Sequence, residues 1–351
     1  MRIAFYAPMK PPDHPIPSGD REIARLLLRA LDLAGHQAHL ASTLRSFEPD
    51  GDAGTQADLM ARAGLEAERL VENLDQTDAW LTYHCYYKAP DLIGPVVASA
   101  LNMPYLIVEP SISPRRREGP WAGFAAASDA AIAHADRLLW TTDRDRPALE
   151  AAGHSASMTQ LPAFLDPGPP VAPRDAGSPL RLLTVAMMRP GDKMESFRRL
   201  AAALDHLGQD WDLTVIGGGS GEAAVAALLA AHRQRVSFLG TLDDPAIIRT
   251  HCQQADLMVW PGVGEGVGMV WLEAQAAGLP VVAEDGPAAR TIVAGGVLAP
   301  PDNPQALAQA IVHAAARRRT LSTQARDHVE QEHSLACAAR VLGAAIEGTL
   351  R

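Results

Sequence analysis

The chain is short of cysteine, with three in 351 residues, Cys85, Cys252 and Cys337. They lie far apart and match neither a metal-ligand nor a redox spacing, so reduced core residues in a reducing compartment are expected rather than a disulfide framework. Long apolar runs are missing as well. No stretch approaches the roughly 20 residues that span a bilayer, and residues 1–8 enter a strand-like run without the basic segment and apolar core of a secretory leader. A cytoplasmic location, in solution or at the inner face of a membrane, is expected. Basic charge is in the minority: 31 Lys and Arg stand against 41 Asp and Glu, for a formal net charge of -10. That balance argues against nucleic acid as a partner, because neutralising phosphates requires a basic face. The exception is Arg115-Arg116-Arg117, which with Trp121 and Phe124 forms a candidate contact for anionic lipid headgroups or a phosphorylated acceptor. A solvated charge run is the plainer alternative.

What the chain does have is alternation. Short apolar, strand-like runs at 2–7, 37–41, 79–84, 104–108 and 137–141 are separated by segments of helical period, and the pattern restarts at 180–188, 212–216, 235–239, 257–260 and 279–283. This is the signature of α/β architecture, parallel sheets covered by helices. Between the two series, residues 166–179 are dense in proline and lack periodicity, as a linker does. The expected division is an N-terminal domain at 1–165, a linker at 166–179, a C-terminal domain at 180–335, and a last helix at 336–351 returning to the N-terminal domain. Open parallel sheets bind ligands beyond the C-terminal ends of their strands, so functional residues should lie on the loops there.

The most specific stretch is Trp260-Pro-Gly-Val-Gly-Glu-Gly-Val-Gly-Met-Val-Trp-Leu-Glu-Ala-Gln-Ala-Ala-Gly-Leu-Pro-Val-Val-Ala. A strand ends, a glycine-rich loop follows, and a helix leads to the next strand. Gly262, Gly264, Gly266 and Gly268 allow close approach of backbone to ligand, and the amides opening the helix point the positive end of its dipole at an anion. Glu273, over a turn into the helix, is placed to accept hydrogen bonds from a diol such as ribose.

This stretch closely resembles the hallmark of the family four glycosyltransferases (glycosyl transferases group 1) of the GT-B fold: Glu, seven residues, Glu, then a small-residue helix and Gly-Leu-Pro-Val-Val. The resemblance implies two Rossmann-like domains facing a central cleft, with the C-terminal one holding a nucleotide-diphosphate sugar. It implies that Glu273 holds the ribose, while Glu265 and the amides of Val267, Gly268 and Met269, with Gly266 and Val270 beside them, meet the transferred sugar and the diphosphate. A second matching element, 183–193, carries Arg189 and Lys193, which the resemblance casts as neutralising the leaving diphosphate. Where relatives read Val-Gly-Arg-Leu this chain reads Val185-Ala186-Met187-Met188, so the Arg arrives two residues late; on a continuing strand that shift keeps the same face.

Further family loops are resembled by Val215-Ile-Gly-Gly-Gly-Ser-Gly, including Gly217, and by Phe238-Leu-Gly-Thr-Leu, whose Gly240 and Leu242 are expected under the base. Neither completes a dinucleotide fingerprint, because Glu222 occupies its last glycine position. Near the N-terminus, Gly19 and Asp20 open the first helix and are candidates to touch donor phosphate or sugar, beside simple capping by Ser18 or Asp20. His84 ends a strand where relatives face the sugar or acceptor with His. Their next His is replaced by Glu109, which with Tyr83 and Lys88 makes up the acceptor-side candidates. Relatives also carry Glu where this chain has Arg290, which leaves the contacts of Asp285, Gly286 and Arg290 open.

The function so implied is retaining, metal-independent transfer of a hexose-type sugar from a nucleotide sugar to a hydroxyl acceptor, whether glycan, lipid or small molecule, in polysaccharide, lipopolysaccharide or glycolipid synthesis. No cofactor beyond the donor substrate is expected. Two alternatives stay open: a nucleotide-sugar binding protein that has lost turnover, and a glycoside hydrolase using its two carboxylates.

Overall fold

The computed structural model describes residues 1–16 and 18–349; Pro17 and the last two positions of the expected C-terminal helix lie outside the described residues. The chain forms two compact units, one of residues 1–163 with 335–351, the other of residues 164–334.

The first unit alternates β1 (Arg2–Tyr6), α1 (Gly19–Leu33), β2 (Gln37–Ser42), α2 (Ala53–Asn73), β3 (Ala79–Tyr83), α3 (Gly94–Leu101), β4 (Tyr105–Val108), α4 (Ala122–His134), β5 (Arg137–Trp140), α5 (Arg146–Ala151) and β6 (Met158–Gln160). Its sheet is parallel throughout, in the order β2-β1-β3-β4-β5-β6. The order reverses between β1 and β3, and such a reversal opens a crevice at the strands' C-terminal ends. β1 and β3 are buried on both faces, which is why they read as unbroken apolar runs. α1 covers the sheet with Ala24, Leu27, Ala30 and Leu31, a single stripe of helical spacing.

The second unit alternates β7 (Leu180–Val185), α6 (Asp192–Leu204), β8 (Trp211–Ile216), α7 (Glu222–Leu228), β9 (Val236–Phe238), α8 (Pro245–Gln254), β10 (Leu257–Val259), α9 (Met269–Ala276), β11 (Val281–Glu284), α10 (Pro287–Ile292), β12 (Gly296–Ala299), α11 (Pro304–Ala316) and α12 (Arg318–Glu332). Its parallel sheet runs β12-β11-β10-β7-β8-β9, the strand order of the dinucleotide-binding fold, with the reversal between β7 and β10. The last helix, α13 (Leu335–Glu347), belongs to the first unit and packs on α1, with Gly343 beside the side chains of Ala34 and His36.

The proline-dense stretch at 166–179 contains no helix or strand, but it is built into the second unit. Arginines fasten its carbonyls: Arg249 donates to Pro167 and Pro169 at 2.6 and 2.8 Å, and Arg326 to Pro167 and Gly168 at 2.8 and 2.7 Å. Farther along, Arg174 and Arg181 converge on the fully buried Asp256 carboxylate, which they hold below the usual carboxylate range against the effect of burial. Without hydrogen-bonding periodicity of its own, the stretch takes its shape from side chains distant in sequence.

Candidate active site

In the second unit the reversal between β7 and β10 brings the turn before α6 against the loop after β10. Lys193, in the first turn of α6, donates to Glu265 Oε1, and the Trp260 indole N–H donates to the same oxygen at 2.9 Å. The ammonium also lies 5.4 Å from the centre of the Trp260 ring. Glu265 Oε2 takes no hydrogen bond among the described residues. Trp260 is missed by sequence reasoning as anything but the end of a strand; its place directly before the glycine loop is the signal that marks it.

The loop between them is tightly packed. Gly264 has φ +67, and a Cβ there would stand 2.2 Å from Asp192 Oδ2. Gly268 ends the loop at φ +76 as the N-cap of α9, and a Cβ there would meet the Trp271 ring at 2.3 Å. With no side-chain cap, the amides of Val267, Gly268, Met269 and Val270 find no acceptor among the described residues. Four free donors at the positive end of a helix dipole make an anion site. Gly266 is exposed with open space around it.

Glu273 lies one turn farther along α9. Its surface is exposed, yet surrounding atoms crowd the carboxyl, and that desolvation pushes it up to about 7. No cation or hydrogen-bond donor reaches it among the described residues, so the site holds a carboxylate with its acceptor capacity unused.

The loop carrying Arg189 departs from the extended strand expected at 180–188. β7 stops at Val185. The ladder nevertheless runs on, with Ala186 N–H donating to Ile216 O at 3.0 Å and Met188 N–H to Gly218 O at 2.8 Å. Met188 is therefore buried, while Met187 and Arg189 emerge exposed, and Arg189 makes no ion pair among the described residues. Gly217 is needed for a reason the sequence does not show: the Ala186 carbonyl oxygen stands 1.9 Å from where a Cβ would be. Gly217 N–H also donates to Gly240 O at 2.8 Å. Gly240 is exposed and Leu242 half-buried on the loop after β9. Arg290 forms a bidentate pair with Asp285, at 2.6 and 2.9 Å.

In the first unit the reversal between β1 and β3 likewise joins two predicted residues. Ser18 caps α1, its Oγ accepting from Arg21 N–H at 3.3 Å, and Gly19 is the first helical residue. Asp20 is thereby free of capping and sits 3.2 Å from His84 Nδ1. His84 and Glu109, at the ends of adjacent strands, both have left-handed backbone, φ +64 and +57. Each such non-glycine conformation costs on the order of 1 kcal/mol and persists only where its surroundings enforce it. Burial disfavours the His84 imidazolium, but the Asp20 hydrogen bond and the charges of Glu109 and Asp145 outweigh it, and its pKa is raised. The same hydrogen bond lowers Asp20. Glu109 is raised by burial, against the pull of His84, and Tyr83 beneath it is raised well above the ordinary phenol range by burial and the Glu109 charge. Asp145 was not singled out by its sequence. It is held by Ser111 Oγ at 2.7 Å and Thr142 Oγ1 at 2.5 Å, and the rule that would have found it is its position just after β5.

Lys88 donates to Pro49 O at 2.8 Å and lies over the Trp121 ring. The supposed surface patch at 115–124 is corrected at one residue: Phe124 is fully buried in the core under α4, so only Trp121 and the arginines face outward. All three cysteines are buried thiols outside any disulfide. No helix among the described residues is long and apolar enough to cross a membrane.

Residues 179–317 match the family model described as Glycosyl transferases group 1. A GDP-mannose-dependent monoacylated alpha-(1-6)-phosphatidylinositol monomannoside mannosyltransferase of Corynebacterium glutamicum is 34% identical over 137 residues, 36% of this chain and 36% of that protein. A D-inositol 3-phosphate glycosyltransferase of Jonesia denitrificans is 34% identical over 131 residues, 34% of this chain and 31% of that protein. The chain thus matches about a third of the length of these curated relatives. Solved structures resemble the whole chain: the lipopolysaccharide outer core galactosyltransferase WaaB in its apo form, at TM-score 0.70 and 16% identity over 100% of both chains, and Anabaena HepE in complex with UDP, at 0.69 and 16% over 99% of this chain and 100% of that one. These likenesses establish the GT-B fold of two Rossmann-like domains.

Proposed function

We propose that this chain, whose residues 179–317 form a glycosyl transferases group 1 domain, is a retaining glycosyltransferase that moves a hexose-type sugar from a nucleoside-diphosphate donor to a hydroxyl acceptor in glycan or glycolipid synthesis. The observation that carries the reading is the Lys193–Glu265 pair beside the four unsatisfied amides at the start of α9. A cation and fixed N–H dipoles suit a diphosphate, and they need no reorganisation as its charge grows. A glycoside hydrolase has no use for them.

In this mechanism the acceptor oxygen bonds to the anomeric carbon on the face that the diphosphate leaves. The bond to the leaving oxygen breaks, and the acceptor's proton passes to a phosphate oxygen. Lys193, the exposed Arg189 and the amides of Val267 to Val270 hold the departing charge, so that no metal is required. Glu265 orients Lys193 and presents Oε2 to the sugar, and Glu273 accepts from the ribose hydroxyls. In the first unit His84, Asp20, Tyr83 and Glu109 are the groups that meet the acceptor. The buried, unoxidised cysteines support a reducing, cytoplasmic setting.

Purified protein incubated with radiolabelled nucleotide sugars and membrane extract should transfer label, with undiminished activity in EDTA. A thermal-shift screen with UDP, GDP and ADP sugars identifies the nucleotide. Full activity in both Lys193→Ala and Glu273→Ala variants would overturn the assignments, and product formed without nucleotide would point to hydrolysis.

A further inference from the structure

Aromatic side chains make up only 5% of the chain, yet three of its five tyrosines fall at positions 83, 86 and 87. The buried rings of the first unit include Phe5, Tyr6, Trp80, Tyr105, Phe124 and Trp140. Tyr86, Tyr87 and Trp121 stand apart from these, half-buried. With His84 they form a continuous row whose ring centres are spaced 4.8, 5.5 and 5.7 Å, the last two contacts edge-on. Neither the Tyr86 nor the Tyr87 hydroxyl has a partner among the described residues.

The far end of the row is cationic. Arg116 lies 5.1 Å from the Tyr87 ring centre and 4.8 Å from that of Trp121, and the Lys88 ammonium is 5.0 Å from the Trp121 ring. Neither has a carboxylate partner among the described residues, whereas adjacent Arg117 pairs with Asp129 at 2.8 Å. A guanidinium laid on ring faces keeps its edge N–H groups free for bidentate contact with phosphate.

The row is also held in place from below. Tyr86 and Ala89 exchange backbone hydrogen bonds of 3.3 and 2.9 Å, closing a tight turn with Tyr87 and Lys88 at its tip. Under that turn the fully buried Asp91 accepts from Thr82 Oγ1 at 2.5 Å, the Tyr105 hydroxyl at 2.8 Å, and the amides of Ile93 and Gly94 at 2.9 and 2.7 Å. Glu48 N–H donates to Lys88 O at 2.9 Å, and the Trp121 indole to Glu48 O at 3.4 Å. Such a surface is ordered before any ligand arrives, which lowers the entropic cost of binding.

Ring faces with free hydroxyls take the apolar face and the hydroxyls of a saturated polyol ring, and unpaired cations at one end take an anion attached to it. We infer that the row from His84 to Trp121, with Arg116 and Lys88, is a subsite for a phosphorylated sugar or cyclitol, its phosphate at the Arg116 end. The inference rests on the glycosyltransferase reading above and names the class of acceptor: a polyol phosphate, whose reacting hydroxyl comes to the His84–Asp20 pair.

The test reads acceptor binding without any donor. Saturation-transfer NMR and calorimetry on the full chain would compare glucose 6-phosphate and myo-inositol 1-phosphate with glucose, myo-inositol and inorganic phosphate. At least one phosphorylated ring should bind tenfold or more tightly than its neutral counterpart and than phosphate alone. Arg116→Gln, on the surface, should abolish that advantage, and Trp121→Ala should weaken the neutral rings as well. Vesicles of phosphatidylcholine with and without phosphatidylinositol form a second arm. Binding that requires phosphatidylinositol and is lost in Arg116→Gln assigns the phosphate to a lipid headgroup, and soluble binding alone assigns it to a free metabolite. The inference is overturned if no phosphorylated probe, soluble or lipid, binds more tightly than its neutral counterpart, or if Arg116→Gln keeps the preference. Absent nucleotide binding would instead strike the donor assignment, because no donor is used here.

Discussion

The two units solve one topological problem with opposite chemistry. Each is a parallel sheet whose strand order reverses once, and in each the reversal joins a helix start to a strand end: Asp20 to His84 between β1 and β3, Lys193 to Glu265 between β7 and β10. In the second unit the pair is a fixed cation beside unsatisfied amides, and the left-handed backbone of the loop between β10 and α9 falls on glycines. In the first, one imidazole is ringed by Asp20, Glu109 and Asp145, with left-handed backbone at non-glycine residues. At its reversal the second unit holds a cation in a fixed pair. The first holds an imidazole whose charged form its acidic neighbours favour, and histidine is the side chain suited to general acid–base chemistry.

The sharpest way to break this comparison is to remove the fixed cation. Lys193→Ala should lower kcat by about 100- to 1000-fold, the scale of losing one stabiliser of developing charge, with the first unit's acceptor binding unchanged by calorimetry. Next comes the contrast between glycines. Gly217→Ala forces a methyl onto the Ala186 carbonyl and should destabilise by roughly 1–3 kcal/mol, whereas Gly19→Ala, with nothing within 4 Å of the new atom, should stay within about 0.5 kcal/mol; chemical denaturation reads both. Asp20→Asn removes a charge-assisted hydrogen bond and should lower kcat/KM roughly tenfold. Because Asp20 raises the His84 pKa, the limb of the pH profile set by His84 should also move to lower pH in that variant.

The smallest effect is on stability alone. Glu273 titrates at about 7 when folded against about 4.3 when unfolded. The folded state therefore holds the extra proton between those values, and stability falls as pH rises through them. Glu273→Gln should melt higher than the unaltered chain at pH 8 and equally at pH 4, while nucleotide binding weakens. A carboxylate that costs stability is what a ligand-facing group looks like.

The positions beyond the C-terminal ends of the strands are legible in the sequence. Glu265, Lys193, Asp20 and His84 all follow strands that read as apolar runs, and the fold class follows from the same alternation. Two edge strands are not: β6 and β12 have three and four residues and are only partly buried, and β6 reads Met-Thr-Gln without an apolar run. Phe124 and Trp121, three positions apart, look alike in sequence, and only the packing of α4 sends one inward. Nor does the sequence show that Ala186 crowds Gly217, or that arginines some 80 to 160 positions away fasten the proline-dense stretch. Contacts of that separation depend on the whole unit having formed.

The return of α13 to α1 has a consequence for synthesis. The N-terminal unit leaves the ribosome first, but the α1 face on which α13 packs stays bare until the chain has been made past residue 334. The intervening unit is contiguous and closes on itself, with Leu165 N–H bonded to His333 O at 3.0 Å where its two ends meet. The half that is translated second is thus free to finish folding before the half that is translated first.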